Sequence, residues 1–184
     1  MSQISNLLSD EVILGFKQVL GSKFIGLNAY SGHIALNSVH LNISLGVKGI
    51  FTFGNEKSVT RFLLDIQGDD LFVKDRQHIG LKFEVILTSF FDISDYRFSV
   101  DFPAECVVQQ ISFWSFEWRD SNLPKLINVV IVSLQNKKNV FIHLGTTSDV
   151  NVLIREQSIE DYFEEKNKFY DAEFELIEIY RINQ

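Results

Sequence analysis

The residues of this chain that could do chemistry are few and scattered: four histidines, one cysteine, and the carboxylates of the stretch 68–78. In that stretch Asp69, Asp70, Asp75 and His78 could offer oxygen and nitrogen ligands to a hard cation. Lys74 and Arg76 stand among them, however, and the spacing is not that of an EF-hand loop. A polar connection between two strands accounts for the stretch equally well. His33, His40, His78 and His143 have no second ligand type nearby at metal-binding spacing. His33 follows Ser31-Gly32, where a solvated turn is expected, and His40 and His143 fall on the polar parity of their strands. Cys106 sits between Glu105 and Val107-Val108 with no cationic neighbour, so the sequence predicts a small core residue rather than a nucleophile. A single cysteine also excludes an intramolecular disulfide and any CxxC motif.

The motifs that carry most enzyme chemistry are missing. There is no G-x-S-x-G elbow, no G-x-x-x-x-G-K-[ST] phosphate loop, no G-x-G-x-x-G fingerprint and no H-E-x-x-H zinc helix. The expectation is a non-catalytic protein without metal or cofactor. Trp114, Phe116 and Trp118 alternate along one strand pattern, with Phe113, Ser115 and Glu117 on the other parity. Three rings on one strand face could stack a sugar or a base. Apolar residues on both parities equally fit a strand covered on both sides. Nucleic acid is disfavoured by an isoelectric point near 5.1 and by the absence of a basic cluster beyond Lys137-Lys138.

Charge is the most uneven property of the chain. Its formal net charge is −7. Residues 156–178 hold nine acids against Lys166 and Lys168, so this window alone carries the whole of that charge and the rest is balanced. A concentrated acidic surface repels phosphate and anionic lipid and steers basic partners. The expected function is therefore binding, with a basic protein partner docked on an acidic C-terminal face built from Glu160, Asp161, Glu164 and Glu165. The alternative is a small-ligand site on Trp114, Phe116 and Trp118. The same acids would also serve as a solvated helix face and a charged edge that blocks aggregation.

The elements that must position these residues are mostly strands. Of 184 residues 46% are hydrophobic and 17 are Phe, a composition that favours half-buried pleated surfaces. The size suits one domain over residues 1–184 with its own core. Ser9 followed by Asp10 and Glu11 reads as a helix start, with Ile13, Leu14, Phe16 and Leu20 as its apolar stripe and Gly21 as its stop. Period-two alternation then takes over at 39–45, 81–87 and 96–102. Further strands are expected at 24–30, 50–53, 59–66, 107–118, 126–134, 140–144 and 150–154. A short helix capped by Ser158 and a closing strand at 174–182 complete the chain. The fold class is mainly β (α+β), an antiparallel sandwich or strongly curled sheet with an N-terminal helix and a short C-terminal helix. Residues 1–10 carry no basic region followed by an apolar run, and no stretch is apolar enough for a membrane helix, so a cytoplasmic protein without membrane contact is expected.

Self-similarity adds one more expectation. Residues 50–59 align with 131–140 at an offset of 81, and Phe90-Phe91-Asp92 with Phe169-Tyr170-Asp171 at an offset of 79. Two duplicated halves, about 24–100 and 105–182, would give this spacing, as would convergence on a common hairpin turn. Phe169-Tyr170-Asp171-Ala172-Glu173 is also similar to the F-H-D-A segment of some predicted immunity proteins of bacterial toxin systems, with Tyr170 where those have His. The resemblance is confined to that short stretch and assigns no family. It implies an immunity-like inhibitor, and an acidic face would suit a cationic toxin.

Overall fold

The computed structural model describes residues 8–36, 41–55, 58–73, 76–86, 95–118, 125–144, 150–169 and 174–184. Helix α1 (Asp10–Gln18) begins at Ser9, whose hydroxyl accepts a hydrogen bond from the Val12 amide at 3.3 Å. Asp10 and Glu11 in the first turn and Lys17 in the last complement the helix dipole. The helix ends through Val19, after which Gly21 takes a φ of 77°, a left-handed conformation that glycine adopts without strain. Its amide then donates to the Val108 carbonyl, tying the turn to the sheet.

The strands are β1 (Lys23–Ala29), β2 (Gly32–Leu36), β3 (Leu41–Leu45), β4 (Lys48–Gly54), β5 (Val59–Val73) and β6 (Arg76–Ile86), followed by β7 (Phe98–Asp101), β8 (Val108–Trp118), β9 (Val129–Leu134), β10 (Asn139–Leu144) and β11 (Val150–Arg155). Helix α2 (Ile159–Phe169) and the closing strand β12 (Phe174–Asn183) finish the chain. One sheet has five strands in the order β6-β5-β4-β1-β7, the other seven in the order β12-β8-β9-β10-β11-β3-β2, all antiparallel. The mainly-β fold with one helix near each end is the one expected from the alternation.

The main core lies between the sheets, where Phe24, Leu27, Phe51, Phe53, Phe62 and Leu64 from one meet Ile111, Phe113, Val130, Val132, Val140 and Val152 from the other. Phe16 of α1 closes one end. It stacks on Phe62 (centroids 3.9 Å apart) and meets Phe83 and Phe113 edge-on at 5.5 and 5.2 Å, touching both sheets at once. Offset and edge-on geometries of this kind add to simple area burial. Cys106 is buried in this core, and burial raises its thiol pKa.

Three local expectations change. On α1 the buried face is Val12, Gly15, Phe16 and Val19, while Leu14 is 56% exposed; a 3.6-residue period carries Leu14 off that face. His33 lies in β2, directly opposite Ser44 of β3, and not in a turn. The acidic stretch 68–78 is largely the two arms of the β5–β6 hairpin, with Asp69 and Asp70 in β5, His78 in β6 and an irregular register between Gly68 and Phe72. The side chains of 67–79 lie outside the described residues, as do Asp75, His40 and Phe90-Phe91-Asp92. Among the described residues no three His, Cys, Asp or Glu gather to hold a metal ion, and no helix is long and apolar enough to cross a membrane.

Both sheets contain a run threaded in one order. In the first half β1, β4, β5 and β6 are successive neighbours and β7 returns to the free side of β1. In the second, β8, β9, β10 and β11 are successive neighbours and β12 returns to the free side of β8. The β2–β3 hairpin stands outside this order and extends the edge of the opposite sheet.

Candidate functional site

The acids predicted to dock a partner sit on α2, and α2 is placed by the sheet beneath it. Ser158 starts the helix, its hydroxyl accepting from the Asp161 amide at 3.0 Å. Ile159, Tyr162 and Phe163 then recur at helical spacing and turn one face inward. That face meets the side of the seven-stranded sheet that points away from the main core. Val129, Ile131, Phe141 and Leu153 form a second apolar cluster there with Tyr162 and Phe163. Tyr162 stacks on Phe141 with centroids 4.3 Å apart, and Phe163 lies 5.5 Å from Trp114 and 6.3 Å from Phe116.

The proposed ring platform is thus the floor under this helix. Trp114 and Phe116 are half-buried, on the parity opposite Phe113, and Phe163 is packed against both. The Trp114 indole N–H donates to the Ser112 hydroxyl at 2.8 Å, and the Arg181 guanidinium stands 6.0 Å from its ring. Asn128 fixes the strand beside it, accepting from the Phe116 amide at 2.7 Å and donating to the Phe116 carbonyl at 2.9 Å. The side chain of Trp118 lies outside the described residues.

The outer face of α2 carries the carboxylates. Glu160, Asp161, Glu164 and Glu165 are all exposed, and the helical period brings them to one side. They differ in what holds them. Glu164 pairs with Lys168 at 2.7 Å, one turn along. Glu165 accepts from Arg155 at 2.7 Å and from Gln157 at 3.2 Å. Arg155 donates in turn to Gln157 at 2.9 Å, and the Gln157 carbonyl accepts from Asn139 at 2.9 Å. This chain of contacts ties the helix to β10 and β11. Burial pushes the Glu165 carboxyl up, but the hydrogen bonds from Gln157 and Arg155 and the charges of Arg155 and Lys166 overcome it, leaving the pKa below its ordinary value. Glu160 and Asp161 make no ion pair among the described residues and present bare carboxylates in the first turn. Of the other acids in the window, Glu175 and Glu178 lie on β12, Glu178 paired with Arg181, while Asp171 and Glu173 fall outside the described residues.

Beneath the outer end of α2 lies a polar group that the alternation pattern does not announce. His143 is buried, sharing the α2 side of β10 with Phe141, its ring 6.0 Å from Tyr162. It was expected on a wet parity. The strand is covered on both faces, so its two parities are both dry. Desolvation first, then the charges of Lys166 and Arg155, lower its pKa to about 3 against a partly opposing hydrogen bond to the Leu144 carbonyl. His143 is therefore neutral at physiological pH. Lys166, 5.6 Å above the Tyr162 ring, is itself lowered by burial. Arg155 and Gln157 are the site residues that sequence reasoning missed, while Lys166 and His143 entered it only as a counter-charge and as a residue of polar parity. The only signal for the first two was position: Arg155 precedes the acidic window and Gln157 lies just inside it.

No family model matches this sequence, and neither a curated protein nor a solved structure matches it.

Proposed function

We propose that the protein is a non-catalytic binding protein that docks a basic protein partner through the outer face of α2, where Glu160, Asp161, Glu164 and Glu165 meet the partner's cations. The observation that carries this reading is the coincidence of charge and geometry. The window that holds the chain's entire net charge includes a helix seated on an apolar bed, with its carboxylates turned to water. A rigid bed matters because carboxylates held in place lose little freedom on binding. The Arg155–Gln157–Glu165 contacts add to that rigidity at one corner of the face.

Surface charges of this type act chiefly on encounter, speeding association by roughly tens- to hundreds-fold at low salt and fading as salt rises. Inhibition of a cationic toxin or nuclease is the biological setting such a face fits. The test uses the whole protein, immobilised, with extract from its own cells at low and high salt. Cationic partners should be retained at low salt and released at high salt. They should be lost from a variant carrying Glu160→Lys, Asp161→Lys and Glu164→Lys, which leaves Glu165 in its structural role. Retention of the same partners by the charge-reversed variant refutes the reading.

A further inference from the structure

We propose that the chain is a fused two-fold dimer: two copies of one five-strand unit, joined at the contact that two separate copies would make. The first unit is β1, β4, β5, β6 and β7, the second β8, β9, β10, β11 and β12, and in each the fifth strand returns to the free side of the first. Strand order alone can recur by convergence. Register is more demanding, and it agrees strand by strand. Phe24 opposite Phe53 and Gly26 opposite Thr52 match Val108 opposite Leu134 and Gln110 opposite Ser133. The residue left over between these pairs, Ile25 or Gln109, slips the register at the same place in both units and is exposed in both. Bulges of this kind are kept within families as part of the fold. Leu27 opposite Val100 matches Ile111 opposite Ile182, and Ala29 opposite Phe98 matches Phe113 opposite Tyr180. Across the remaining strands the row Phe51, Phe62, Val85 matches Val132, Val140, Ile154. The apolar members of all these pairs belong to the main core or pack against it.

The contact between the units supplies what a two-fold axis requires. In such a contact, if residue i meets j then j meets i, and a residue on the axis meets its own copy. Lys23 and Val107 form an antiparallel bridge, and each stands directly before the first matched residue of its unit, Phe24 or Val108. They are equivalent residues facing one another. The hydrogen bonds beside them are images of each other, the Phe24 amide donating to the Cys106 carbonyl at 2.7 Å and the Val108 amide to the Ser22 carbonyl at 2.9 Å. Each unit also lends the connection between its first two strands to the other unit's sheet. From the first unit this is the β2–β3 hairpin, which sets Leu45 opposite Val150 of β11. From the second it is Ile127, whose carbonyl accepts from the Leu81 amide of β6. Leu81 and Val150 are themselves equivalent, lying opposite Ile66 and Leu144.

The outward faces of the two units have diverged, which is why so little of the repeat survives in the sequence. Val129, Phe141, His143 and Leu153 lie on the α2 side of the second unit, and their equivalents in the first are Lys48, Leu63, Asp65 and Glu84. There Lys48 pairs with Asp65 at 2.8 Å and Lys82 with Glu84 at 2.7 Å. The apolar bed that seats α2 is thus a feature of the second unit. The offset of 81 holds along β4 and β9 only. Past the turn the register places Phe62, and not Val59, on Val140, because the first hairpin's turn is three residues longer.

A crystal structure tests this. Superposing the first unit's strands on the second's should take a rotation of about 180° and should lay Phe24 on Val108, Leu27 on Ile111 and Phe62 on Val140. A best superposition in another strand order, or slipped by one residue, overturns the proposal, as does a rotation far from two-fold. A protease site inserted between Ala104 and Glu105, both exposed in the link between the units, adds a test in solution. The uncut variant's circular dichroism spectrum shows that the insertion is tolerated. After cleavage the two fragments should sediment together near the 21.2 kDa of the intact chain, with that spectrum unchanged. Fragments that part without denaturant overturn the proposal, since a dimer contact holds without a covalent link.

Discussion

Phe16 and His143 set the two sides of the seven-stranded sheet, and each gives a measurable consequence. Phe16 touches Phe62 and Phe83 of one sheet and Phe113 of the other. Phe16→Ala therefore leaves a void that neither sheet can close alone, with an expected loss of about 3–5 kcal/mol in urea unfolding. A loss under about 1 kcal/mol would show that α1 is not a structural plug. His143 couples folding to pH. Folded, its pKa lies at about 3; unfolded, it returns to the ordinary 6.5. The unfolded chain thus takes up the proton first as pH falls. Stability from the neutral ring is complete above 6.5 and drains away between 6.5 and 3, by at most about 1.4 kcal/mol per pH unit. The groups around the ring, Lys166, Arg155 and Tyr162, supply no counter-charge for a protonated imidazole. Between pH 7 and pH 5.5 the wild type is expected to lose about 1 kcal/mol more than His143→Gln. Equal losses would mean the ring is hydrated in solution.

At the level of elements, α2 is held by its cap and its bed. Ser158→Ala removes the acceptor for the Asp161 amide and is expected to cost about 1 kcal/mol, read as a lowered midpoint of thermal unfolding. Phe163→Ala should cost more and should also red-shift the Trp114 emission, because the ring that shields that indole is gone. No spectral change would place Phe163 elsewhere. Both helices were legible because Ser9 and Ser158 are strong caps, and most strands were legible because one dry face forces alternation. What escaped did so for physical reasons. β2 lies at an edge with residues exposed on both sides, so nothing makes Gly32-His33-Ile34-Ala35 alternate. The β5–β6 hairpin runs on past Ile66 through Gly68, Asp69 and Asp70, polar residues that read as a loop. β10 is dry on both sides, so parity could not reveal that His143 is buried. The acidic face was visible as charge, but the Arg155–Gln157–Glu165 ties depend on how α2 folds back over β11, which local sequence does not encode.

For the whole molecule, the distribution of charge decides more than its sum. With the chain's net charge of −7 carried by residues 156–178, association with a basic partner should slow as ionic strength rises, while dissociation changes less. Stopped-flow rates at several salt concentrations check this, and a salt-independent association rate would argue for apolar docking instead. The placement of α2 has another result. The helix whose acids face the solvent is also the lid over Val129, Ile131, Phe141 and Leu153. Anything that levers it away, whether a protease cutting between β11 and Ile159 or a partner that pulls too hard, would bare a greasy strip on the broad side of the sheet. Gripping this protein by its charged handle and clumping it are thus neighbouring outcomes, separated by the strength with which Tyr162 and Phe163 stay seated.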